Sequence, residues 1–395
     1  MNDLKIFAKT IEPEAVSQVE ALMGQPTFAG EKVRIMPDAH YGAGCVIGFT
    51  STIGDYVIAN IVGVDIGCGV RVDPIGAIKF DGAELDATIK QYVPSGTNTH
   101  EESDDIGIVE QLRCRARLKS IPRIHKSVGT LGGGNHFIEV DVDEDGCYYL
   151  VIHSGSRNLG KQVAEHYQSL AANQVGAEGE IKREIARAIE SLKLSGNTHL
   201  IQSTIQKIKS SETRSAIPCG LEYLSGSDMY DYLHDMSLCQ EYAIQNRRKI
   251  SSIITDKMGW AISDDAFESV HNYIDTRQGI IRKGAIDATK GKRVIIPINM
   301  RDGCIIGIGK GNPDWNYSAP HGAGRIMSRS KAFKTLKLND FQDAMDGIYT
   351  TTATEKTLDE APMVYKPMDE ILETIGDTVE VERIIKSMYN FKASE

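Results

Sequence analysis

The spacing of hydrophobic and polar residues divides the chain into strand-rich and helix-rich parts. Short apolar runs bounded by glycines or polar turns predict strands at 33–36, 45–50, 56–62, 137–140 and 148–153. From about residue 161 to 260 the apolar residues recur at helical spacing instead, which predicts a helical insertion. Strand patterns return at 280–283 and 293–297, and the part from Phe341 to the closing segment 389–392 is predicted to be helical. We therefore expect an α+β fold with mixed or antiparallel sheets surrounded by helices.

The length of 395 residues is not interrupted by a linker rich in proline, serine or low-complexity sequence. We therefore predict one large domain over residues 1–395, with the helical insertion of about 161–260 inside it. The hydrophobic fraction is 41%, and no apolar run reaches the roughly 18 residues of a membrane span. The first residues lack the basic and then apolar pattern of a signal peptide, so we expect a cytoplasmic protein with no membrane partner. A monomer is the default expectation.

Cysteine usage and charge narrow the function classes. The seven cysteines form no CxxC pair and show no regular spacing, which argues against a disulfide framework and against a structural zinc knuckle. We expect reduced thiols, most of them buried. A net charge of -10 is wrong for a protein that coats nucleic acid without specificity, so any contact with RNA should be confined to a local basic patch.

Five segments place residues that bind metals beside glycine or other small polar residues. The segments are 36–40, 64–69, 134–137, 152–157 and 270–273, and the candidate ligands, all in the last four, are Asp65, Cys68, His136, His153 and His271. Asp65 and Cys68 are three residues apart between glycines, which let a tight turn aim both side chains at one point. Oxygen, nitrogen and sulfur donors together favour Mn²⁺, Zn²⁺ or Co²⁺ over Mg²⁺ or Ca²⁺. Taken singly, each histidine also fits a structural residue and Cys68 a small buried one, so the set supports the metal site.

The segment 320–329 combines a histidine with glycines and two arginines. Small residues let the backbone approach a ligand closely, and guanidinium groups donate paired hydrogen bonds to phosphate. His321 is therefore a candidate general base or covalent nucleophile toward phosphorus, with Arg325 and Arg329 as phosphate contacts. From this segment alone, a glycine-rich turn that opens a helix and binds an anion explains the pattern equally well.

Two other basic residues stand near these segments. Arg157 follows Ser154-Gly155-Ser156 and is a candidate for holding a phosphate beside a metal, although an ordinary turn arginine has the same appearance. Lys283 is a candidate RNA contact, and a solvated strand end explains it as well.

Taken in order, these segments resemble the RtcB family of RNA-splicing ligases over nearly the whole chain. The matching motifs are Val-Gly-Val-Asp-Ile-Gly-Cys-Gly at 62–69, Gly-Asn-His-Phe-Ile-Glu at 134–139, His-Ser-Gly-Ser-Arg at 153–157 and His-Gly-Ala-Gly-Arg at 321–325. The resemblance implies a ligase that uses GTP and two Mn²⁺ ions per active site. It would join an RNA 3′-phosphate, or a 2′,3′-cyclic phosphate after opening, to a 5′-hydroxyl, in RNA repair or tRNA splicing. A guanylylated histidine and an RNA(3′)pp(5′)G intermediate would precede release of GMP.

The same resemblance implies a role for each matching residue. His321 would carry the guanylyl group and Asp38 would orient it. Cys68 would bridge two metals, His153 with His271 would complete one metal site, and Asp65 with His136 would complete the other. The residues expected to bind GTP or GMP are Asn135, Glu139, Asn299, Cys304, Gly322, Ala323, Gly324, Tyr365 and Lys392. Those expected to contact phosphate or RNA are Arg157, Arg325 and Arg329.

The chain departs from the family pattern at three places. The loop that touches guanine in the family usually reads Pro-Gly-Ser-Met with a second serine, whereas residues 297–304 read Pro-Ile-Asn-Met-Arg-Asp-Gly-Cys. Residues 318–320 read Ser-Ala-Pro in place of Ser-Cys-Ser, and Val270 replaces a second histidine. These differences suggest a divergent member with its own RNA substrate, such as cleaved RNA under repair, and an activating protein partner is left open. The alternatives are a metal-dependent phosphoesterase that acts on RNA ends without ligation and a non-catalytic sensor of RNA ends.

Overall fold

The computed structural model describes residues 3–210 and 217–393. Its strands are β1 (Asp3–Ile6), β2 (Lys32–His40), β3 (Ile47–Thr52), β4 (Tyr56–Val57), β5 (Gly69–Gly76), β6 (Phe137–Val142), β7 (Tyr148–Ser154), β8 (Leu224–Ser225), β9 (Phe267–Val270), β10 (Asn272–Asp275), β11 (Ile280–Lys283), β12 (Ala285–Asp287), β13 (Arg293–Asn299), β14 (Gly303–Gly309), β15 (Ser318–Pro320) and β16 (Val379–Lys392). Its α-helices are α1 (Pro13–Met23), α2 (Ala59–Val62), α3 (Gly82–Tyr92), α4 (Ile121–His125), α5 (Arg157–Val175), α6 (Ala177–Leu194), α7 (Ile201–Ser210), α8 (Gly226–Met258), α9 (Arg329–Thr335), α10 (Leu338–Ala344) and α11 (Met368–Ile375). These elements confirm the predicted α+β fold.

The largest sheet has the strand order β13-β14-β16-β6-β7-β5-β9, with every neighbouring pair antiparallel. Its two edge strands also touch, and the backbone N–H of Ile295 in β13 donates to Ser269 Oγ in β9 at 3.1 Å. The sheet is therefore curled until its edges meet, so one of its faces points inward. That face carries an apolar cluster that includes Val72, Val151 and Ile306.

A second, mixed sheet has the order β1-β2-β3-β11-β10. Strand β1 is parallel to β2, and the other neighbouring pairs are antiparallel. Phe49 of β3 and Ile35 of β2 are fully buried and belong to a core cluster that also includes residues of α1, α2, α5 and α8. This packing connects the helical segment to the strand-rich part of the chain.

The helical stretch agrees with the pattern of the sequence. Helices α5, α6, α7 and α8 occupy most of the region that was predicted as a helical insertion. The organisation of the whole chain as one domain stays a prediction. Among the described residues, no helix combines the length and apolar character needed to cross a bilayer. All seven cysteines lie in the described ranges and are free, and five of them are buried, as expected.

Two secondary-structure predictions are wrong. The segment 56–62 is a strand only at Tyr56–Val57, and Ala59–Val62 is a short helix. A short apolar run fits a buried helical turn as well as a strand, so periodicity alone does not separate the two. The C-terminal part contains α10 and α11 but ends in β16, which begins at Val379, ten residues before the predicted closing segment. Pairing of β16 with β14 and β6 prevails there over local helical character.

Candidate metal and nucleotide site

Four of the predicted metal ligands lie at one end of the curled sheet. Cys68 directly precedes β5, His136 directly precedes β6, His153 is the next-to-last residue of β7, and His271 follows β9. Gly69 of β5 pairs with the last residues of β7 and of β9 on its two sides, and the first residue of β6 pairs with His153. Strand register therefore brings together residues that are far apart in sequence.

The ligand atoms converge on Cys68. Its Sγ lies 3.1 Å from His153 Nε2 and 3.5 Å from His136 Nε2. His271 Nε2 lies 3.3 Å from His153 Nε2, and Asp65 Oδ2 lies 3.2 Å from His136 Nε2. Cys68 thus stands between a pair formed by His153 and His271 and a pair formed by His136 and Asp65. The division matches the one that the resemblance implies, and the metal roles themselves stay a prediction.

The tautomers of the histidines fit a bound cation. His136 Nδ1 lies 2.9 Å from the carbonyl oxygen of Leu131, and His153 Nδ1 lies 3.2 Å from that of Asn135. Because a carbonyl oxygen only accepts, His153 Nδ1 carries the proton and its Nε2 presents a lone pair to the thiol of Cys68. His136 Nδ1 lies between the carbonyl acceptor and the Arg157 Nη1 donor, which is at 3.1 Å. Burial lowers the pKa of His153, which keeps its ring neutral. Converging lone pairs repel one another unless a positive ion lies between them, so the donor set fits a metal.

The charges around Cys68 point the same way. Burial and the carboxylate of Asp65 raise the pKa of the Cys68 thiol well above its ordinary value. Burial also acts to raise the pKa of Asp65, but the His136 ring and the Arg157 guanidinium outweigh it and hold that pKa below its usual range. A bound divalent ion favours the thiolate and reverses the effect on Cys68.

Helix α8 fixes the loops of Cys68 and His153, and its contribution was missed by sequence reasoning. Arg247 is fully buried and donates to the carbonyl oxygens of Gly67 at 3.0 Å and Ser154 at 2.8 Å, beside Cys68 and His153. Its guanidinium also pairs with Glu268 at 2.7 Å. The neighbouring Asn246 accepts from two backbone N–H groups of the loop before β6. Both residues lie in a polar helical segment that has the appearance of an exposed face, so no motif identified them.

His321 is held by Asp38. Asp38 is fully buried, and its Oδ2 lies 2.6 Å from His321 Nδ1 and accepts from the His321 backbone N–H at 3.1 Å. This contact leaves His321 Nε2 as the ring nitrogen available to a ligand. The His321 ring centroid lies 4.7 Å from that of His271. Gly324 has a φ of 77°, and a Cβ there would lie 2.2 Å from the Asp38 carbonyl oxygen, so glycine permits this close approach.

A cluster of charged and polar side chains surrounds Glu360. Sequence reasoning also missed Glu360. Glu360 Oε2 accepts from Tyr365 OH at 2.6 Å and from Lys392 Nζ at 3.0 Å, and Arg325 Nη1 lies 3.3 Å from Oε1. Arg329 is half exposed and lies 3.5 Å from Asp359. Burial acts to raise the pKa of Glu360, but Lys392 and Arg325 outweigh it and lower that pKa. Three predicted ligand contacts, Tyr365, Lys392 and Arg325, are thus organised by one buried carboxylate.

The other residues predicted at the nucleotide site occupy different depths. Glu139 is 2% exposed, and its carboxylate accepts from Asn390 Nδ2. Cys304 is fully buried, with its Sγ 3.8 Å from Glu139 Oε2, so it lies behind Glu139. Asn299 Oδ1 accepts from the backbone N–H groups of Arg301 and Asp302, which makes a tight turn at the end of β13.

Arg157 and Lys283 differ in their surroundings, and the phosphate contact of Arg157 stays a prediction. Arg157 Nη1 lies 3.1 Å from His136 Nδ1, and its guanidinium fills the space that a Cβ at Gly132 would occupy. This position beside the metal ligands is compatible with its predicted phosphate contact. Lys283 is 8% exposed and donates to the carbonyl oxygen of Val62 at 3.1 Å. The prediction of an RNA contact for Lys283 is therefore wrong, because all four residues of β11 are buried and its ammonium group points into the fold.

One cavity of about 500 Å³ joins four of the five candidate metal ligands, all except His136, to His321 and to the charged group around Glu360. This volume is within the range of sites for small molecules and cofactors. The residues predicted from sequence for the site that line this cavity are Asp65, Cys68, Asn135, Glu139, His153, His271, Asn299, His321, Gly322, Ala323, Gly324, Arg325, Arg329, Tyr365 and Lys392.

Comparisons with known proteins identify the family of the chain. The family model described as tRNA-splicing ligase RtcB matches residues 18–120 and 110–393. The RNA-splicing ligase RtcB of Escherichia coli K12 is 29% identical over 417 residues, which cover 96% of this chain and 94% of that protein. The tRNA-splicing ligase RtcB of Aeropyrum pernix is 26% identical and covers 90% of this chain and 86% of its own length. The tRNA-splicing ligase RtcB of Methanococcus maripaludis is 25% identical over 92% of this chain. The chain therefore belongs to the RtcB family.

Proposed function

We propose that this protein is a GTP- and Mn²⁺-dependent RNA ligase. It would join RNA ends that carry a 3′-phosphate or a 2′,3′-cyclic phosphate to ends that carry a 5′-hydroxyl. The relatives named above are RNA-splicing ligases. The pairing of His321 with Asp38 at 2.6 Å, next to a cluster of metal-type ligands, is the observation that carries the proposal.

The first step uses His321 as the nucleophile. Its Nδ1 is engaged by Asp38, so Nε2 attacks the α-phosphorus of GTP and pyrophosphate leaves. The Asp38 carboxylate stabilises the positive charge that the ring gains when the N–P bond forms. Asp38 is fully buried, so water screens this interaction only weakly.

In the second step a 3′-phosphate oxygen of the RNA attacks the same phosphorus, the N–P bond breaks, and RNA(3′)pp(5′)G forms. In the third step the 5′-hydroxyl loses its proton, attacks the RNA phosphate and displaces GMP. A cyclic phosphate must first be opened by water. Arg325 and Arg329 provide donors for phosphate oxygens at the cavity wall.

Asp65, Cys68, His136, His153 and His271 would hold two Mn²⁺ ions, with Cys68 shared between them. Bound there, the ions would supply Lewis-acid stabilisation of charge on the reacting phosphate oxygens. Arg247 supports this arrangement because it holds the loops of Cys68 and His153 through backbone carbonyls. Arg157 adds a guanidinium beside His136.

We assign guanine recognition to the end of the cavity that lies opposite the candidate metal ligands. Glu139 offers carboxylate oxygens to N–H donors of the base, and Tyr365 and Lys392 are held in place by Glu360. The altered loop at 297–304 makes repair of cleaved RNA the preferred biological role in this proposal, ahead of tRNA intron splicing. A monomeric cytoplasmic enzyme, with an accessory protein left open, completes the proposal.

The test is incubation of the purified protein with Mn²⁺ and GTP labelled at the α-phosphate, followed by denaturing electrophoresis and peptide mapping. The proposal expects label on His321 that disappears in His321→Ala and persists in His199→Ala, a matched change at an exposed histidine. RNA with 3′-phosphate and 5′-hydroxyl ends should then be joined.

Two outcomes would contradict this proposal. Release of phosphate from RNA without GTP, unaffected by His321→Ala, would identify a phosphoesterase. Binding of RNA ends without turnover would identify a sensor.

A further inference from the structure

The inward face of the curled sheet carries a second polar cluster beneath Glu139. Glu139 and Asp141 are alternate residues of β6 and share this face. Asp141 lies beyond Glu139, which lines the cavity. In the register, Asp141 pairs with Tyr149 of β7 and Ser387 of β16. Cys304 of β14 completes the cluster: ligand-type atoms of Glu139, Asp141 and Cys304 all lie within 4.8 Å of one another.

Asp141 has an unusual environment for a carboxyl group. It is fully buried, and neither of its side-chain oxygens has a hydrogen-bond partner within the described parts of the chain. Its surroundings on the inward face include the apolar residues Val151 and Ile306. An ionised carboxylate is costly in such a place unless a donor or a cation neutralises it.

The charged and titratable groups that face the cluster are engaged elsewhere. From β16, Lys392 binds Glu360 at 3.0 Å and Arg383 binds Asp143 at 2.7 Å. From β7, Tyr149 OH donates to Asp143 at 2.8 Å. From β14, Cys304 offers only a weak S–H donor. Two neighbouring carboxyl groups therefore share a small volume with little compensating charge, and one of them must hold a proton.

The two carboxyl groups are not equivalent. Burial raises the pKa of Glu139 to about 7, while Lys392 and the Asn390 amide act in the opposite direction. Burial and the charge of Glu139 raise the pKa of Asp141 well above its ordinary value. The proton thus belongs on Asp141, the deeper group.

We propose that Asp141 is a positioning residue for base recognition, which stays protonated and thereby keeps Glu139 as the single ionised acceptor at the base of the cavity. This inference rests on the proposed function, because it concerns the guanine end of the same site. An ionised Glu139 accepts from N1–H and the 2-amino group of guanine, whereas adenine presents an acceptor at N1. A buried acceptor left facing an acceptor rejects the wrong base strongly.

The experiment compares Asp141→Asn, which keeps a donor, with Asp141→Val, which is apolar and has no donor. Asp145→Asn, at an exposed position in the turn after β6, is the control and should leave the preference for GDP unchanged. Binding of GDP and ADP to the Mn²⁺-loaded proteins is measured by calorimetry, and thermal unfolding checks that each variant is folded. We expect Asp141→Asn to keep the preference for GDP and Asp141→Val to lose roughly tenfold or more of it. Infrared spectra at neutral pH should show a protonated carboxyl band that is absent in Asp141→Asn.

Each contrary result has a defined meaning. Loss of the preference for GDP in Asp141→Asn would show that Asp141 acts as a carboxylate, and an unchanged preference in Asp141→Val would show that it does not position Glu139. An extra equivalent of metal lost in both variants would show that a cation, and not a proton, neutralises the cluster. If the wild-type protein binds no guanine nucleotide, the proposed function fails, while the infrared band still tests the proton on Asp141.

Discussion

Replacement of Asp38 by asparagine tests how the buried carboxylate acts on His321. Asp38 Oδ2 contacts both the ring Nδ1 at 2.6 Å and the His321 backbone N–H at 3.1 Å. The backbone N–H of His321 only donates. In Asp38→Asn it should therefore face the oxygen of the new side-chain amide, which keeps that oxygen directed toward His321. The histidine tautomer should therefore be preserved, and the substitution should remove the charge alone.

The expected fall in the guanylylation rate follows from this geometry. A unit charge about 4 Å from the charge that develops on the ring contributes about 4 kcal/mol at an effective dielectric constant of about 20. The neutral hydrogen bond that remains offsets about 1 kcal/mol of the loss. The net increase of about 3 kcal/mol in the barrier corresponds to a guanylylation rate that falls roughly 100- to 200-fold.

The assay is single-turnover transfer of label from α-labelled GTP to the protein at saturating nucleotide. His321→Ala gives the background, and thermal unfolding checks that Asp38→Asn is folded. A loss of less than about tenfold would mean that the carboxylate charge does not act on the ring. A loss of about 10⁴-fold, the size seen when a buried aspartate no longer holds the correct histidine tautomer, would mean that the amide nitrogen faces His321.

Four further predictions test the supporting residues. Cys68→Ser should lower the bound Mn²⁺ measured by mass spectrometry by at least one equivalent, and unchanged metal content would contradict a shared thiolate. Arg247→Met leaves two backbone carbonyls unpaired and removes one of the cations at Glu268, which keeps Arg71 at 3.2 Å, so urea unfolding should show a free energy of unfolding lower by about 3 kcal/mol; a change below about 1 kcal/mol would refute its supporting role. Glu360→Gln should weaken GTP binding roughly tenfold in calorimetry while leaving metal content unchanged, because Lys392 and Tyr365 lose their charged partner; loss of metal instead would place its effect at the other end of the cavity. Because folding raises the pKa of Glu139 from 4.5 to about 7, the folded state binds its proton more tightly, so the free energy of unfolding without nucleotide should fall as pH rises through this window; Glu139→Gln should reduce that slope, and an unchanged slope would argue against it.

The cluster of metal-type side chains could be predicted from sequence because the local turns that carry them are visible in it. Asp65 and Cys68 lie in one glycine-bounded turn, and His136 and His153 each stand in a short polar segment at a strand end. Strand ends and turns carry functional residues on a rigid scaffold, so local composition was informative. The nucleophile segment around His321 was recognisable for the same reason.

Glu360 and Arg247 could not be found this way, because their roles depend on contacts across the fold. Glu360 is the last residue of a short 3-10 helix, Glu355–Glu360. It contacts Lys392 because β16 carries that lysine, its last residue, to the same place in the fold. Arg247 lies in the long helix α8, where a charged residue normally indicates a solvated face, yet it is fully buried. Long-range register, which a single sequence does not reveal, decides both positions.

The distance between His321 and the metal ligands is set mainly by backbone contacts. Strand β12 pairs with β15 through Ala285 and Pro320, which places Gly284 beside His321. The N–H of Gly284 also donates to the carbonyl oxygen of His271 at 2.8 Å. A Cβ at Gly284 would lie 3.1 Å from His321 Cε1, and its φ is 61°, so glycine is needed for this approach. Because backbone contacts fix this spacing, changes in the surrounding side chains should leave His321 beside the candidate metal ligands.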